Sequence, residues 1–274
     1  MISVIIPANN EGALIGACLS ALLASDMGPG AMEIIVVANG CSDDTADQAR
    51  GFSDNAASRG WSLQVIERSE GGKLGALNAG DAAARGDLRA YLDADVTVSP
   101  ELMGQVADAL NTDVPRYASG RVNIPRPESW VSRAYRAFYL TVPFMTGDVP
   151  GCGLFAVNAT GRARWGDFPD IISDDTYIRL CFAPGERVGV PARYDWPLAE
   201  GLGNLIRVRR RQNRGVDEIA ARFPELLEND DKRNYCAGRL TRNILRHPAG
   251  FAVYAFVALM VKFGSNDSAW SRGR

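Results

Sequence analysis

Histidine is almost absent from this chain: His247 stands alone among 274 residues. That count rules out a histidine-based triad and any multi-histidine metal site. Cysteine is present but scattered. Cys18, Cys41, Cys152, Cys181 and Cys236 are odd in number and never spaced as Cys-x-x-Cys. Neither a disulfide frame nor a zinc site is expected, and the thiols read as the reduced ones of a cytosolic protein. An excess of charge of one sign is also lacking. A formal net charge of -2 gives no basic field for bulk nucleic-acid binding. No Gly-x-Gly-x-x-Gly follows the first apolar run, and no Walker lysine motif occurs, so dinucleotide and P-loop chemistry are not indicated. The chain opens directly on Met1-Ile2-Ser3-Val4-Ile5-Ile6, without a basic segment followed by an apolar core. No secretory signal is therefore expected. What is there is an ordinary globular composition, 46% hydrophobic and 23% charged, enough for one large domain with an appendage.

Residues 2–6 are apolar and β-branched and halt at Pro7, which predicts a buried strand. Asn10-Glu11-Gly12 reads as a turn, and residues 13–23 carry apolar side chains at helical spacing. Residues 33–37 predict a second buried strand. Asn39-Gly40-Cys41-Ser42 turns the chain, and Asp43-Asp44-Thr45 starts a helix with acids suited to its dipole. Residues 62–66 predict a third strand, shorter and more polar, and residues 73–84 an alanine-rich helix entered through Gly71-Gly72. Residues 89–92 predict a fourth strand. Ser99-Pro100-Glu101 then reads as a helix start with Ser99 as its cap. Four strand–helix repeats with short connections predict a parallel α/β sheet built from right-handed crossovers.

The fourth strand ends in Asp93-Ala94-Asp95. By itself an Asp-x-Asp is also the signature of a solvated turn. At the carboxyl end of a strand in an open α/β sheet, however, it stands where ligands bind. Two hard oxygen donors there suit Mg²⁺ or Mn²⁺ completed by water and substrate phosphates. Beyond residue 111 the alternation fades. Residues 128–142 read as an aromatic-rich packing helix, and Gly151-Cys152-Gly153 as the entry to a strand over residues 154–157. Residues 167–175 form an acidic loop leading into a helix over residues 175–182. The last third carries the basic run Arg207-Val208-Arg209-Arg210-Arg211-Gln212-Asn213-Arg214-Gly215 and then a charge-free stretch over residues 249–261. That stretch falls short of the ~20 residues a spanning helix needs, which leaves a core helix or an interfacial segment.

Taken in order, these motifs resemble those of the family 2 glycosyltransferases, with their GT-A nucleotide-diphospho-sugar fold. Val4-Ile5-Ile6-Pro7-Ala8-Asn9-Asn10-Glu11 is similar to the family's opening strand and nucleotide loop. Val36-Val37-Ala38-Asn39-Gly40-Cys41-Ser42-Asp43-Asp44-Thr45 is similar to its second strand and turn, and Gly72-Lys73-Leu74-Gly75-Ala76-Leu77-Asn78-Ala79-Gly80 to its lysine-bearing helix start. Leu92-Asp93-Ala94-Asp95 resembles its metal motif, and Ser173-Asp174-Asp175 the acidic pair that holds its catalytic base.

The resemblance implies a mostly parallel central sheet flanked by helices. The catalytic domain would span residues 1–215, with a nucleotide-sugar half at 1–110 and an acceptor half at 111–215. A helical basic and apolar extension would span 216–274. It implies a metal-dependent, inverting transfer of one sugar from a nucleotide-diphospho-sugar, a UDP-sugar in the first instance, to a hydroxyl acceptor such as a lipid-linked saccharide. In that scheme Pro7, Ala8, Glu11 and Asn39 line the nucleotide, and Lys73 lies near the pyrophosphate. Asp95 is the direct ligand of Mn²⁺ or Mg²⁺, with Asp93 on the ribose or the metal's water shell. Asp175 is the general base with Asp174 the alternative, helix capping being the other role open to either. Arg211 is the arginine that closes over the diphosphate.

Two departures stand out. The acidic pair expected after the second strand is Ala38-Asn39, which loosens the uracil assignment, and the Gln-x-x-Arg-Trp of processive members is absent. Single-sugar transfer is therefore expected. A sugar-1-phosphate nucleotidyltransferase would want a cation in Asn9-Asn10-Glu11-Gly12, and there is none. A non-catalytic binding module is the remaining alternative. The basic run and the apolar stretch lead to an expected cytoplasmic location, peripheral on the inner face of the membrane.

Overall fold

The computed structural model describes residues 1–147, 149–231 and 236–263. Two compact units make up the chain. The first comprises Met1–Asn123, Gly151–Asp170 and Asp174–Trp196; the second comprises Ile124–Pro150, Ile171–Ser173 and the described part of Pro197–Arg274.

In the first unit strands and helices alternate: β1 (Ile2–Ala8), α1 (Gly12–Leu23), β2 (Met32–Asn39), α2 (Thr45–Arg50), α3 (Ser53–Ser58), β3 (Ser62–Arg68), α4 (Lys73–Ala83) and β4 (Leu88–Leu92). β1 pairs in parallel with β2 and β4, and β2 with β3, so the four predicted strands form one parallel half-sheet. Next come β5 (Thr97–Val98), α5 (Leu102–Leu110) and β6 (Tyr117–Asn123). Two helices, α6 (Trp130–Tyr139) and α7 (Pro143–Thr146), belong to the second unit. The chain then returns to the first in β7 (Leu154–Val157), α8 (Ala159–Arg162), α9 (Asp174–Leu180) and β8 (Arg187–Asp195). The sheet order is β3-β2-β1-β4-β7-β6-β8-β5. β7 runs antiparallel to β4 and β6, β8 runs parallel to β6, and β5 closes the far edge antiparallel to β8.

β1 and β2 read as near-continuous apolar runs because both of their faces are covered. Ile2, Val4, Ile6, Ile34 and Val36 join one core with Leu19, Leu22 and Val106. On the alternate positions, Ile35 and Val37 pack with Ala76 of α4. Pro7 does not end β1 as the sequence suggests. It stays in register with Val37, while the pairing of β1 with β4 stops at Ile5. Proline is tolerated where one neighbour has already ended. The helix expected from Ser99 begins instead at Leu102, after a turn in which Leu102 N–H donates to the Ser99 carbonyl. All five cysteines are free thiols.

The second unit is helical. Besides α6 and α7 it holds α10 (Leu202–Arg222), α11 (Ala237–Arg246) and α12 (Pro248–Phe263). The expected domain boundary at residue 215 falls inside α10. Gly215 is there for close packing, not to stop the helix, since a Cβ on it would lie 2.0 Å from Ser173 Oγ. The aromatic helix α6 is used for packing, as its composition suggests. Phe138 lies 5.2 Å from both Phe251 and Tyr254, and Tyr135 lies 5.4 Å from Tyr254. Among the described residues no single helix is long and apolar enough to cross a membrane. α11 and α12, which meet at a bend of 114°, meet that length and composition only as a pair. Residues 264–274 of the expected extension lie outside the described residues.

Gly80 sets how closely α4 lies on the sheet: a Cβ there would stand 2.4 Å from Ile5 Cγ2 and 3.3 Å from Val37 Cγ2. Gly80→Ala should therefore cost about 1–3 kcal/mol through overpacking. Gly185→Ala, with open space around it, should stay within about 0.5 kcal/mol of the parent. Urea unfolding midpoints of the two variants check this.

Candidate active site

The loops leaving the carboxyl ends of β1 and β2 are tied to each other by a set of hydrogen bonds. The Asn9 side-chain amide donates to the carbonyls of Asn39 and Gly40. Asn10, in the left-handed region at φ 51°, accepts through Oδ1 from Ser42 N at 2.6 Å and Asp43 N at 3.2 Å. Glu11 N donates to Thr45 Oγ1 at 2.8 Å, and Gly12 N to Asp43 Oδ2 at 3.1 Å. Burial works against the Asp43 charge, but hydrogen bonds from Thr45 and Gly12 hold its carboxyl below the usual range. Asn39 is buried and spends its amide on the backbone. It donates to Ala8 O at 2.8 Å and Val37 O at 3.3 Å, and its Oδ1 accepts from Gly72 N at 2.9 Å. Those bonds explain an Asn where an acid would be expected. The side chain must both donate and accept, which a carboxylate cannot do.

β4 delivers Asp93 and Asp95, both half-buried, to its carboxyl end. The first turn of α9 supplies Asp174 and Asp175, and Lys73 opens α4. Lys73 Nζ lies 2.9 Å from Asp93 Oδ1 and 3.1 Å from Asp174 Oδ2. Burial opposes the lysine's charge, yet Asp174, Asp93 and Asp175 together outweigh it and hold its pKa above the ordinary value. Asp175 accepts from Thr176 N at 2.7 Å. Burial first, then the neighbouring Asp174, push its carboxyl up to about 6, with Lys73 pulling the other way. These side chains share one small cleft with Pro7, Tyr91 and Phe155. Tyr91 stacks on Phe155 at 4.8 Å, and its hydroxyl donates to Asp81, which Arg162 also binds at 2.5 Å.

The structure thus brings together Pro7, Lys73, Asp93, Asp174 and Asp175, and holds Ala8 and Asn39 at the adjacent ends of β1 and β2 with Glu11 just before α1. Asp95 stands two residues from Asp93 at the same strand end. Arg211 belongs to α10 of the second unit. Sequence reading missed the aromatic floor and the Asp81–Arg162 pair beneath it. Tyr91 is the fixed middle of a strand, and its inward role is visible only once β7 brings Phe155 beside it.

Among the described residues no group of three or more His, Cys, Asp or Glu is arranged to hold a metal ion. Mg²⁺ and Mn²⁺ bind through one or two carboxylates and leave the remaining positions to water and substrate phosphates. The pair Asp93 and Asp95 is such a donor set. Burial first, then Asp95 and Asp93, raise the pKa of the buried Cys18 thiol, and Asp93 already pairs with one cation, the Lys73 ammonium.

A parallel half-sheet with knitted loops and carboxylates at its carboxyl edge, extended by a mixed half, matches the architecture of GT-A glycosyltransferases. The structure of a mannosyltransferase from Pyrobaculum calidifontis, PcManGT in complex with GDP-Man and Mn²⁺, superposes with a TM-score of 0.63 at 20% identity. The match covers 97% of this chain and 76% of that one. S. aureus TarS in complex with UDP-GlcNAc matches with a TM-score of 0.57 at 15% identity over 96% of this chain and 76% of that one. These likenesses concern the fold. The family model for glycosyl transferase family 2 matches residues 3–160, more than half of the chain, and the chain belongs to that family. Among curated proteins, the glycosyltransferase AglE of Haloferax volcanii is 37% identical over 98 residues, 34% of this chain and 30% of its own length. The uncharacterized glycosyltransferase EpsJ of Bacillus subtilis is 30% identical over 108 residues, 39% of this chain and again 30% of its own length. The matched stretch is thus under a third of either relative.

The raised Asp175 carboxyl has a consequence for stability. Its folded pKa of about 6 lies above the ordinary 3.8, so the folded state binds this proton more tightly than the unfolded chain does. The stability it contributes is present below the ordinary value and is lost as pH rises through about 6. Asp175→Asn, which carries no charge, should melt above the parent at pH near 8 in the presence of chelator. The gain should shrink as pH falls below about 6. Melting curves of both proteins across that range test it; a gain independent of pH would show that the carboxyl is not raised.

Proposed function

We propose that the chain is an inverting, metal-dependent hexosyltransferase that moves one sugar from a nucleotide-diphospho-sugar to a hydroxyl acceptor. The observation that carries this reading is Asp175: a carboxylate with a raised pKa, in a cleft with Asp93 and Lys73. A base must lose its proton near working pH and be able to take another, and a carboxyl held near 6 does both better than an ordinary one. Asp175 would accept the acceptor hydroxyl's proton as that oxygen attacks the anomeric carbon. The bond to the diphosphate breaks on the opposite face, so the configuration inverts. Asp174, paired with Lys73, would hold the lysine beside the leaving diphosphate and keep Asp175's environment negative.

Asp95, with Asp93, would hold Mn²⁺ or Mg²⁺, whose charge would stabilise the departing diphosphate. Pro7, Ala8 and Glu11 would line the base and ribose, within a loop whose shape Asn39 fixes through its backbone bonds. Arg211 stays the candidate for the diphosphate on guanidinium chemistry alone. A UDP-sugar is the donor favoured by the family resemblance. The neighbours named above were solved with GDP-Man and with UDP-GlcNAc, so both nucleotides belong in the test. A lipid-linked saccharide is the acceptor proposed, with the enzyme peripheral on the inner face of the cytoplasmic membrane. Support for that placement comes from the basic and apolar helices of the second unit.

Melting temperatures with UDP, GDP, CDP and dTDP, each with and without Mn²⁺, test the site without any acceptor. One nucleotide should stabilise, and only with metal. Asp175→Asn should keep that shift and lose transfer by on the order of a hundredfold or more. No stabilisation by any nucleotide under either condition would remove the proposal.

A further inference from the structure

α12 is apolar on two sides. Gly250, Phe251 and Tyr254 face α6, where a Cβ on Gly250 would lie 2.5 Å from the Ala134 carbonyl. Away from α6, Phe256, Leu259 and Phe263 are exposed by 46%, 52% and 76%. Their spacing of three and four residues places them on one stripe of the helix. Met260 lies beside them, and Leu245 of α11 is 77% exposed. A stripe of this size on open surface marks a docking face. The charges around it say what kind. From Cys236 to Phe263 there is no Asp or Glu, while Arg239, Arg242, Arg246 and Lys262 are all exposed.

Three occupants can be weighed. A bilayer crossed by the helix pair would need the arginines of α11 inside hydrocarbon, which is costly. α12 alone, with 16 residues, rises only about 24 Å against a hydrocarbon core of roughly 30 Å. A second copy of the chain would set arginines of one sign against each other in a symmetric contact, with no acid on either helix to offset them. An anionic bilayer surface meets both features, because acyl chains accept the aromatic stripe and headgroup phosphates accept the guanidinium groups. We propose that α11 and α12 lie in the plane of an anionic membrane surface. Phe256, Leu259 and Phe263 enter the boundary between headgroups and acyl chains, and Arg239, Arg242 and Arg246 reach the lipid phosphates. This deepens the peripheral placement proposed above by naming the surface and the lipid class. It does not depend on transfer chemistry, since binding is read without donor or acceptor.

Flotation of the full chain with vesicles of phosphatidylcholine alone, or mixed equally with phosphatidylglycerol, tests it. The chain should float with the mixed vesicles, should not float with the neutral ones, and should be released by salt. Two variants locate the contact: Phe256→Ser with Leu259→Ser and Phe263→Ser, and Arg239→Gln with Arg242→Gln and Arg246→Gln. Each arginine near an anionic surface is worth roughly fivefold in partitioning, so the second variant should bind on the order of a hundredfold less tightly. Both should melt at the parent's temperature, because every changed side chain is exposed. The proposal falls if the parent fails to float, or if both variants float like the parent. It falls equally if the parent is a dimer in solution that the serine variant dissolves, which would assign the stripe to a second copy.

Discussion

The Lys73 ammonium, set between Asp93 and Asp174, is the contact on which the cleft depends. Asp93 ends the fourth strand and Asp174 begins a helix some eighty residues later. Two carboxylates brought this close in a half-buried cleft would repel, and a third, Asp175, stands next to them. A single cation from the start of α4 makes the arrangement tenable, at 2.9 and 3.1 Å. Burial, followed by the neighbouring Asp174, raises Asp175, with Lys73 pulling the other way.

Position relative to the sheet explains why these groups meet. In a parallel sheet every strand's carboxyl end lies on one edge, so β1, β2 and β4 deliver their loops to the same place. Asn9, Asn10 and Glu11 then bond to the loop after β2, and Asn39 bonds back to β1 and forward to Gly72, the residue before Lys73. The loops after β1 and β2 and the start of α4 are thereby one hydrogen-bonded assembly. Gly80 allows α4 to lie close on Ile5, which sets the height at which Lys73 stands over the strand ends.

Sequence periodicity made the first half of this fold legible, because buried parallel strands are apolar runs and their connections are short. The placing of Asp93 and Asp95 at a strand end was readable for the same reason, whereas Lys73 was singled out only by the family resemblance. The second half was not legible in the same way. β7 and β6 enter the sheet antiparallel and far from their partners in the chain, and no local pattern encodes which strand a four-residue run will join. Phe155, and with it the stacking on Tyr91, was invisible until that pairing was known. Gly215, inside α10, is a close-packing position against Ser173 that the sequence does not reveal.

The C-terminal helices carry a different lesson about composition. Residues 249–261 were consistent with a core helix or an interfacial one, because an apolar run does not record how many faces of its helix are used. The structure separates the two readings by face. The side bearing Gly250 and Tyr254 is a packed interior, while the side bearing Phe256, Leu259 and Phe263 is open. A helix packed on one face needs apolar residues on roughly half of its circumference; α12 has them all round and a single lysine. Packing on α6 and α10 accounts for the first stripe, while Phe256, Leu259 and Phe263 stay exposed. Exposed apolar area of that kind costs solubility unless something covers it. The absence of acids over the same residues is what favours the anionic surface proposed above over a second copy of the chain.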